Sequence, residues 1–227
     1  MLELPKPIAV PYLDEAPSDT AVLCGIDPGT DKLGLSFLTI DVKTNVIVGV
    51  SAYTLCASRD LSLNPWIEEV RSPRTARLYA LENTLVRIFR QQRPLAFACE
   101  SPFFNRFQPN AFEALVEAVR GCIHKAIWRY DVWRSVVDID PMTVKKVVGA
   151  SYSAKKSQGK TRDEKKQEVK DAVLSHALLA GVPGLKGLAD ADEHTVDATA
   201  IVLYLYIEYY HSKNLPAIAV PEFLALP

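Results

Sequence analysis

Three short apolar runs follow one another soon after the start of the chain. They span residues 21–27, 33–41 and 46–55, and the turn-forming sequence Lys43-Thr44-Asn45 joins the second run to the third. Runs of this length that are separated by tight turns are typical of β-strands that pair in chain order. The pattern therefore predicts an antiparallel meander of three strands.

Longer segments with apolar residues at spacings of three and four alternate with two further strands. These strands are predicted at residues 95–99 and 132–139. The predicted helices span residues 74–92, 110–129, 140–148, 161–181 and 192–211. Two of the helices begin with capping sequences, since Asp140 precedes a proline and Thr161 stands three residues before Glu164.

This order of elements predicts an α/β domain with a mixed five-stranded sheet and helices on both faces. The sheet would combine the three-strand antiparallel meander with two parallel strands. We expect the first and fourth strands to be parallel neighbours, so that their carboxyl ends meet at one edge of the sheet. The predicted organisation is an N-terminal extension (1–20), the domain (21–211) and a C-terminal tail (212–227), both flanks being rich in proline.

Ionisable side chains stand at the ends of two buried runs and at the start of the last helix. Asp27 ends the first strand, Glu100 directly follows the fourth, and His194 and Asp197 lie one helical turn apart. Carboxylates at the ends of buried strands are costly unless a cation or a hydrogen-bond network compensates them. Three such carboxylates predict a site for hard divalent cations, and hence chemistry on phosphate.

Each of these residues also has an ordinary structural interpretation when it is taken alone. Asp27 precedes Pro28 and Gly29, and such a sequence is common in turns. His194 and Asp197 fit an ordinary polar first turn of a helix, where acidic side chains interact favourably with the helix dipole. Their expected meeting at one sheet edge favours the functional interpretation.

Charge is unevenly distributed along the chain. The 227 residues carry a formal net charge of −1, and 48% of them are hydrophobic, which fits one globular domain with a sizeable core. Between residues 143 and 170, however, nine basic and three acidic residues give a net charge of +6. A segregated basic segment is typical of proteins that bind nucleic acid, although a solvated loop is the alternative.

The remaining composition disfavours several other classes of protein. No apolar stretch approaches the roughly 18 residues of a membrane span, and residues 1–7 lack the features of a signal peptide. The four cysteines show no CxxC spacing, so we expect reduced, structural thiols and no zinc site. We therefore expect a cytoplasmic protein with no membrane partner and no small-molecule cofactor.

Four segments of the chain resemble the RuvC-type Holliday junction resolvases of the RNase H-like superfamily. Residues 25–30, Gly-Ile-Asp-Pro-Gly-Thr, are similar to the first motif of that family, and Glu100 followed by Phe103 is similar to the second. The segment from Gly159 to Val169, which contains Lys160, Arg162, Lys165 and Lys166, resembles the basic loop and helix start that contact DNA phosphates in the family. Residues 194–200 resemble its closing acidic pair, in which some members carry His at the first position.

The resemblance implies an RNase H-like nuclease domain that cuts a four-way DNA junction symmetrically, as a homodimer, during recombination and repair. Asp27, Glu100, His194 and Asp197 would be catalytic and would bind two Mg²⁺ or Mn²⁺ ions, leaving 5′-phosphate and 3′-hydroxyl ends. The implied DNA-contacting residues are Phe103, Phe104, Lys155, Lys156, Lys160, Arg162, Lys165 and Lys166. Ordinary core packing is the alternative for the two phenylalanines.

The chain is longer than usual cellular resolvases, which indicates a phage-type or divergent member acting on DNA in a bacterial or phage-infected cell.

Three other functions share parts of this pattern. An actin-like or sugar-kinase ATPase shares the turn at residues 27–30 but needs a second nucleotide-binding half, for which 227 residues are too few. A non-catalytic protein of the same fold is expected to have lost a carboxylate. A nuclease that acts on flaps, other branched DNA or RNA–DNA hybrids is the serious alternative, because a fold does not settle the substrate.

Overall fold

The strands form one mixed sheet. The computed structural model describes residues 19–61, 63–102, 109–150 and 161–211. The strands are β1 (Thr20–Asp27), β2 (Lys32–Asp41), β3 (Val46–Cys56), β4 (Ala96–Glu100) and β5 (Ser135–Ile139), in the order β3-β2-β1-β4-β5. β1, β2 and β3 pair antiparallel in chain order, whereas β4 runs parallel to both β1 and β5. The predicted sheet, a meander extended by two parallel strands, is therefore confirmed.

Helices fill most of the described chain outside the sheet. They are α1 (Ala57–Asp60), α2 (Pro65–Val70), α3 (Pro73–Gln92), α4 (Pro109–Ala118), α5 (Lys125–Tyr130), α6 (Pro141–Val147), α7 (Arg162–Leu174), α8 (Leu185–Leu188) and α9 (Glu193–Leu205). A π-helical turn (Val119–His124) joins α4 to α5, and another (Tyr206–His211) extends α9. Within the described residues, no helix is both long enough and apolar enough to cross a membrane.

The starts of two helices agree with the predicted capping sequences. Asp140 accepts hydrogen bonds from the backbone of Met142 and Thr143 at the start of α6. Thr161 and Glu164 form a full capping box at the start of α7. Local sequence therefore decides these two boundaries.

Two predicted boundaries are wrong. The helix predicted to continue to residue 181 ends at Leu174, because the backbone of His176 is extended (φ −64°, ψ 127°) and cannot continue the helix. β5 begins at Ser135 and not at residue 132, since residues 131–134 form a turn held by the Asp131 side chain. The connection between β3 and α3 contains the two short helices α1 and α2.

Both faces of the sheet are covered, as predicted. On one face, β1 packs against α9 through residues such as Leu23 and Ile201, and α6 and α7 contact α9 in turn. On the other face, α3 and the segment from α4 to α5 cover residues such as Cys24 and Phe97. Successive residues of β1 therefore belong to different cores, as the alternation of side chains along a strand requires.

A buried ion pair joins two helices on the face away from α9. Glu82 of α3 is 4% exposed, and it accepts from Lys125 at 3.0 Å and from the guanidinium of Arg129. Both cations come from α5, so the carboxylate is compensated inside the core. The burial of Glu82 is thus explained by a structural ion pair.

Glycine allows α9 to lie directly on the sheet. A Cβ atom at Gly25 of β1 would stand 2.6 Å from the backbone nitrogen of Val202, and one at Gly34 of β2 would stand 2.6 Å from the carbonyl carbon of His194. Neither separation is tolerated between non-bonded atoms. The absence of a side chain at these two positions therefore sets how close the start of α9 comes to the end of β1.

We expect Gly25→Ala to lower the free energy of unfolding by about 1–3 kcal/mol, because the added methyl group overpacks the contact between β1 and α9. Urea denaturation measures this difference. Gly49→Ala is the matched control, since a Cβ there would meet Thr39 at an ordinary 3.6 Å. Equal losses of stability in the two variants would contradict the close approach of α9 to the sheet.

Candidate active site

Two of the predicted carboxylates lie side by side at the carboxyl edge of the sheet. In the parallel pairing of β1 with β4, Ile26 is opposite Cys99, so the strands end together at Asp27 and Glu100. Asp27 is only 9% exposed, and Glu100 is partly buried. The register of one strand pair therefore brings together two residues that are 73 positions apart in the chain.

The start of α9 brings the other two predicted residues to this edge. Asp192 caps the helix by accepting from the backbone nitrogen of Thr195 at 3.0 Å. The hydroxyl of Thr54 on β3 donates to the same carboxylate at 2.6 Å. Thr54 and Asp192 thus fix the first turn of α9, which carries His194, against the sheet.

His194 and Asp27 are in direct contact. The imidazole Nδ1 lies 2.7 Å from Oδ2 of Asp27. The other ring nitrogen, Nε2, lies 3.9 Å from a carboxylate oxygen of Glu193. The hydrogen bond to Asp27 raises the pKa of His194 above its usual value, against the opposing effect of burial. One carboxylate of the cluster is therefore partly compensated by an imidazole.

The remaining carboxylates are less well compensated. Burial raises the pKa of Glu100 to about 8, and repulsion from Asp27 and Asp197 adds to the effect. Burial also raises the pKa of Asp197 to about 6, again with repulsion from Asp27. The pKa of Asp27 is raised by burial and lowered in turn by His194. The three acids therefore act on one another, and the site favours protons or cations.

One basic residue, absent from the predicted site, acts on all three acids. Lys145 of α6 lowers the pKa of Asp27, of Glu100 and of Asp197 by electrostatic attraction. Its position follows from the pairing of β5 with β4, in which Ile139 lies opposite Glu100 and α6 begins immediately afterwards. In the sequence, the signal for this position is a lysine one turn into the capped helix that follows the fifth strand.

The donor chemistry of the cluster fits a hard divalent cation. Three carboxylates and one imidazole are the ligands that Mg²⁺ and Mn²⁺ sites use. Burial and mutual repulsion raise the pKa values of the three acids, so a cation would stabilise their ionised forms. Among the described residues, no three His, Cys, Asp or Glu side chains converge closely enough to form a ready-made metal cage.

The predicted DNA-contacting residues are described only in part. Lys165 and Lys166 lie on α7, and Arg162 is its first residue. Lys166 forms an ion pair with Glu193, across a cleft of about 200 Å³ between α7 and α9 that also reaches Asp197. The structure therefore places Lys166 beside the carboxylates. Phe103, Phe104, Lys155, Lys156 and Lys160 lie outside the described residues.

Comparison of the sequence with known proteins identifies a relative. No protein-family model matches the chain. The chain is 31% identical over 147 residues to the crossover junction endodeoxyribonuclease RuvC of Afipia carboxidovorans, a match that covers 61% of this chain and 71% of that protein.

Solved structures show the same fold. RuvC of Thermus thermophilus in complex with a Holliday junction substrate matches with a TM-score of 0.54 and 23% identity, covering 81% of this chain and 91% of that one. The yeast mitochondrial Holliday junction resolvase Ydc2 matches with a TM-score of 0.51 and 13% identity, covering 86% of this chain and 84% of that one. At these identities the structures support the α/β architecture alone.

We expect the metal-free protein to lose stability as the pH rises from about 5 to 8. Glu100 has a folded pKa of about 8 against an ordinary 4.5, so the unfolded chain releases this proton first and is favoured as the pH rises through that interval. Glu100→Gln should remove the contribution of Glu100 between pH 6 and 8 and leave that of His194, whose raised pKa also makes the folded protein less stable as the pH rises. The measurement is the free energy of unfolding in EDTA at each pH.

Glu113→Gln is the control for this measurement, since Glu113 is an exposed residue of α4. It should keep the pH dependence of the original protein. If Glu100→Gln kept it as well, the raised pKa of Glu100 would be refuted.

Proposed function

Because the chain belongs to the RuvC family of crossover junction endodeoxyribonucleases, we propose that it resolves four-way DNA junctions at the site formed by Asp27, Glu100, His194 and Asp197. The observation that carries this proposal is the meeting of three mutually repelling carboxylates at one sheet edge, with His194 bonded to Asp27. A site of this kind suits hydrolysis of a phosphodiester, and a homodimer would cut two strands symmetrically. The expected products are 5′-phosphate and 3′-hydroxyl ends.

We propose that Asp27, Glu100 and Asp197 hold two Mg²⁺ or Mn²⁺ ions through their carboxylates, with His194 as a further ligand. Oxygen donors suit Mg²⁺, and an imidazole favours Mn²⁺ somewhat. Divalent ions at such a site supply an activated water and neutralise charge on the leaving 3′-oxygen. The raised pKa values of the acids support the assignment, because a bound cation would relieve the repulsion that now favours protons.

Asp27 also orients the imidazole ring of His194. An ionised carboxylate can only accept a hydrogen bond, so Nδ1 of His194 donates to Oδ2 across 2.7 Å. Nε2 is then the ring nitrogen that would bind a ligand or move a proton. Histidines that bind metals usually donate their other nitrogen to a carboxylate in this way. The contact with Asp27 therefore orients Nε2 for either role, that of metal ligand or that of nearby base.

Lys145 would act on the substrate. An ammonium group near three carboxylates is well placed to attract the phosphate that is attacked and to stabilise charge that develops on it. We propose that Lys165 and Lys166 contact flanking phosphates, together with Arg162, Lys155, Lys156 and Lys160. Phe103 and Phe104 are the proposed wedge that stacks on bases where strands separate.

Asp27→Asn should abolish cleavage of a four-way junction and leave junction binding in EDTA unchanged, since the amide keeps the shape but cannot hold a cation. The assay uses a labelled junction, a flap, a duplex and an RNA–DNA hybrid with Mg²⁺, Mn²⁺ or EDTA. Paired symmetric nicks on the junction alone are expected. Preferred cleavage of the flap or the hybrid would favour the alternative substrates, and unimpaired cutting by Asp27→Asn would overturn the site.

Lys145→Ala should lower the cleavage rate about a hundredfold, as expected for loss of one group that stabilises transition-state charge. Lys146→Ala is a matched control, because the neighbouring lysine lies on the same helix but is exposed. Single-turnover rates at saturating metal separate this effect from binding. Equal rates for the two variants would remove Lys145 from the mechanism.

A further inference from the structure

A further carboxylate, that of Glu193, lies beside the catalytic edge. Glu193 is the first residue of α9 and directly precedes His194. Burial is the main cause of the raised pKa values of Asp27 and Asp197, and repulsion from Glu193 adds to it. The pKa of His194 is raised mainly by its hydrogen bond to Asp27, and attraction to Glu193 adds to that effect. Glu193 therefore belongs to the same electrostatic cluster, although it is not among the predicted site residues.

The two oxygens of the Glu193 carboxylate lie near different side chains. Oε2 forms an ion pair with the ammonium group of Lys166 on α7, and Oε1 lies 3.9 Å from Nε2 of His194. A separation of 3.9 Å is too long for a hydrogen bond, so the interaction with His194 is electrostatic. The carboxylate of Glu193 thus stands between the ammonium group of Lys166 and the imidazole of His194.

The ion pair between Glu193 and Lys166 is not what attaches α7 to α9. Both side chains are 38% exposed, and ion pairs with this exposure contribute little to stability. The two helices are held together by apolar packing, since Val169 of α7 and Val196 of α9 are buried in the same core. A role in stability therefore does not explain why the pair lies at this position.

The charges along the cleft between α7 and α9 make the position of Lys166 important. The cleft is lined by Lys166 and Lys170 together with Asp163, Glu193 and Asp197. An ammonium group that paired with Asp197 would compete with a divalent cation for one of the carboxylates of the proposed metal site. The ion pair with Glu193 keeps the positive charge of Lys166 close to the site and leaves Asp197 available for a cation.

We propose that Glu193 is a positioning residue, which holds the ammonium group of Lys166 beside the metal-binding carboxylates so that this group binds a phosphate of the substrate during cleavage. This inference rests on the proposed junction-cutting function. The structural alternative is an acid in the first helical turn that only interacts favourably with the helix dipole. Such an acid would have the same effect whether Lys166 is present or not, whereas a positioning residue acts only through Lys166.

The test is a double-mutant cycle between Glu193 and Lys166. Single-turnover cleavage of a four-way junction is measured with Mg²⁺ at saturating protein, and junction binding is measured separately in EDTA. The full-length proteins compared are the original protein, Glu193→Gln, Lys166→Gln and the double variant. Asp190→Asn is the matched control, because Asp190 is an exposed acid shortly before α9 and its loss changes the net charge equally. Thermal unfolding checks that each variant is folded.

Glu193→Gln should slow cleavage about tenfold, because the ammonium group of Lys166 is no longer held in position. Junction binding in EDTA should stay equal or become tighter, since the change removes a negative charge that repels DNA. In the Lys166→Gln background, Glu193→Gln should cause little further slowing, because the two changes remove the same interaction. Asp190→Asn should cleave at the rate of the original protein.

Three results would overturn the inference. Equal slowing by Glu193→Gln with and without Lys166 would assign Glu193 to the metal-binding acids or to the helix dipole. Cleavage by Glu193→Gln or Lys166→Gln at the rate of Asp190→Asn would show that the pair takes no part in cleavage. Weaker junction binding that accounts for the slower cleavage would assign the pair to affinity. Failure of the original protein to cut a four-way junction would instead overturn the proposed function, so the two failures are distinguishable.

Discussion

The site depends on the direct contact between α9 and the sheet. Gly25 and Gly34 leave room for the helix backbone where any side chain would collide with Val202 or His194. The helix therefore begins beside the last residue of β1, and the imidazole of His194 reaches Asp27 at 2.7 Å. A helix held farther away by ordinary side chains would leave Asp27 and Glu100 at the sheet edge without His194 and Asp197.

This contact has an electrostatic consequence. It encloses acids that repel one another in a partly buried space, and the pKa values of Glu100 and Asp197 rise to about 8 and about 6. Elsewhere the protein compensates a buried carboxylate fully, as Lys125 and Arg129 do for Glu82. The contrast separates the compensated carboxylate of Glu82 from the poorly compensated acids at the sheet edge. The acids at the sheet edge retain a need for positive charge, which a divalent cation and the nearby Lys145 would meet.

The start of α9 also divides the surroundings of the site into two chemically different sides. Toward α7, the cleft is lined by Lys166 and Lys170 together with Asp163, Glu193 and Asp197. Toward β3, the cleft is lined by the basic residues Lys32 and Arg59 together with Asp192. The hydrogen bonds of Thr54 and Asp192 hold these two sides in one frame.

The sequence alone determined the elements and the identity of the acids, because local patterns encode them. Apolar runs predicted the five strands, the caps at Asp140 and Thr161 predicted two helix starts, and Asp27, Glu100 and Asp197 stood out at the ends of buried segments. Only the tertiary structure decided three interactions. They are the pairing of His194 with Asp27, the effect of Lys145 on the pKa values of the acids, and the hydrogen bond from Thr54 to Asp192. Each joins residues more than 40 positions apart, so their contact depends on strand register and on the closeness of α9 to the sheet. No local pattern contains that information, because it arises only when distant segments pack against one another.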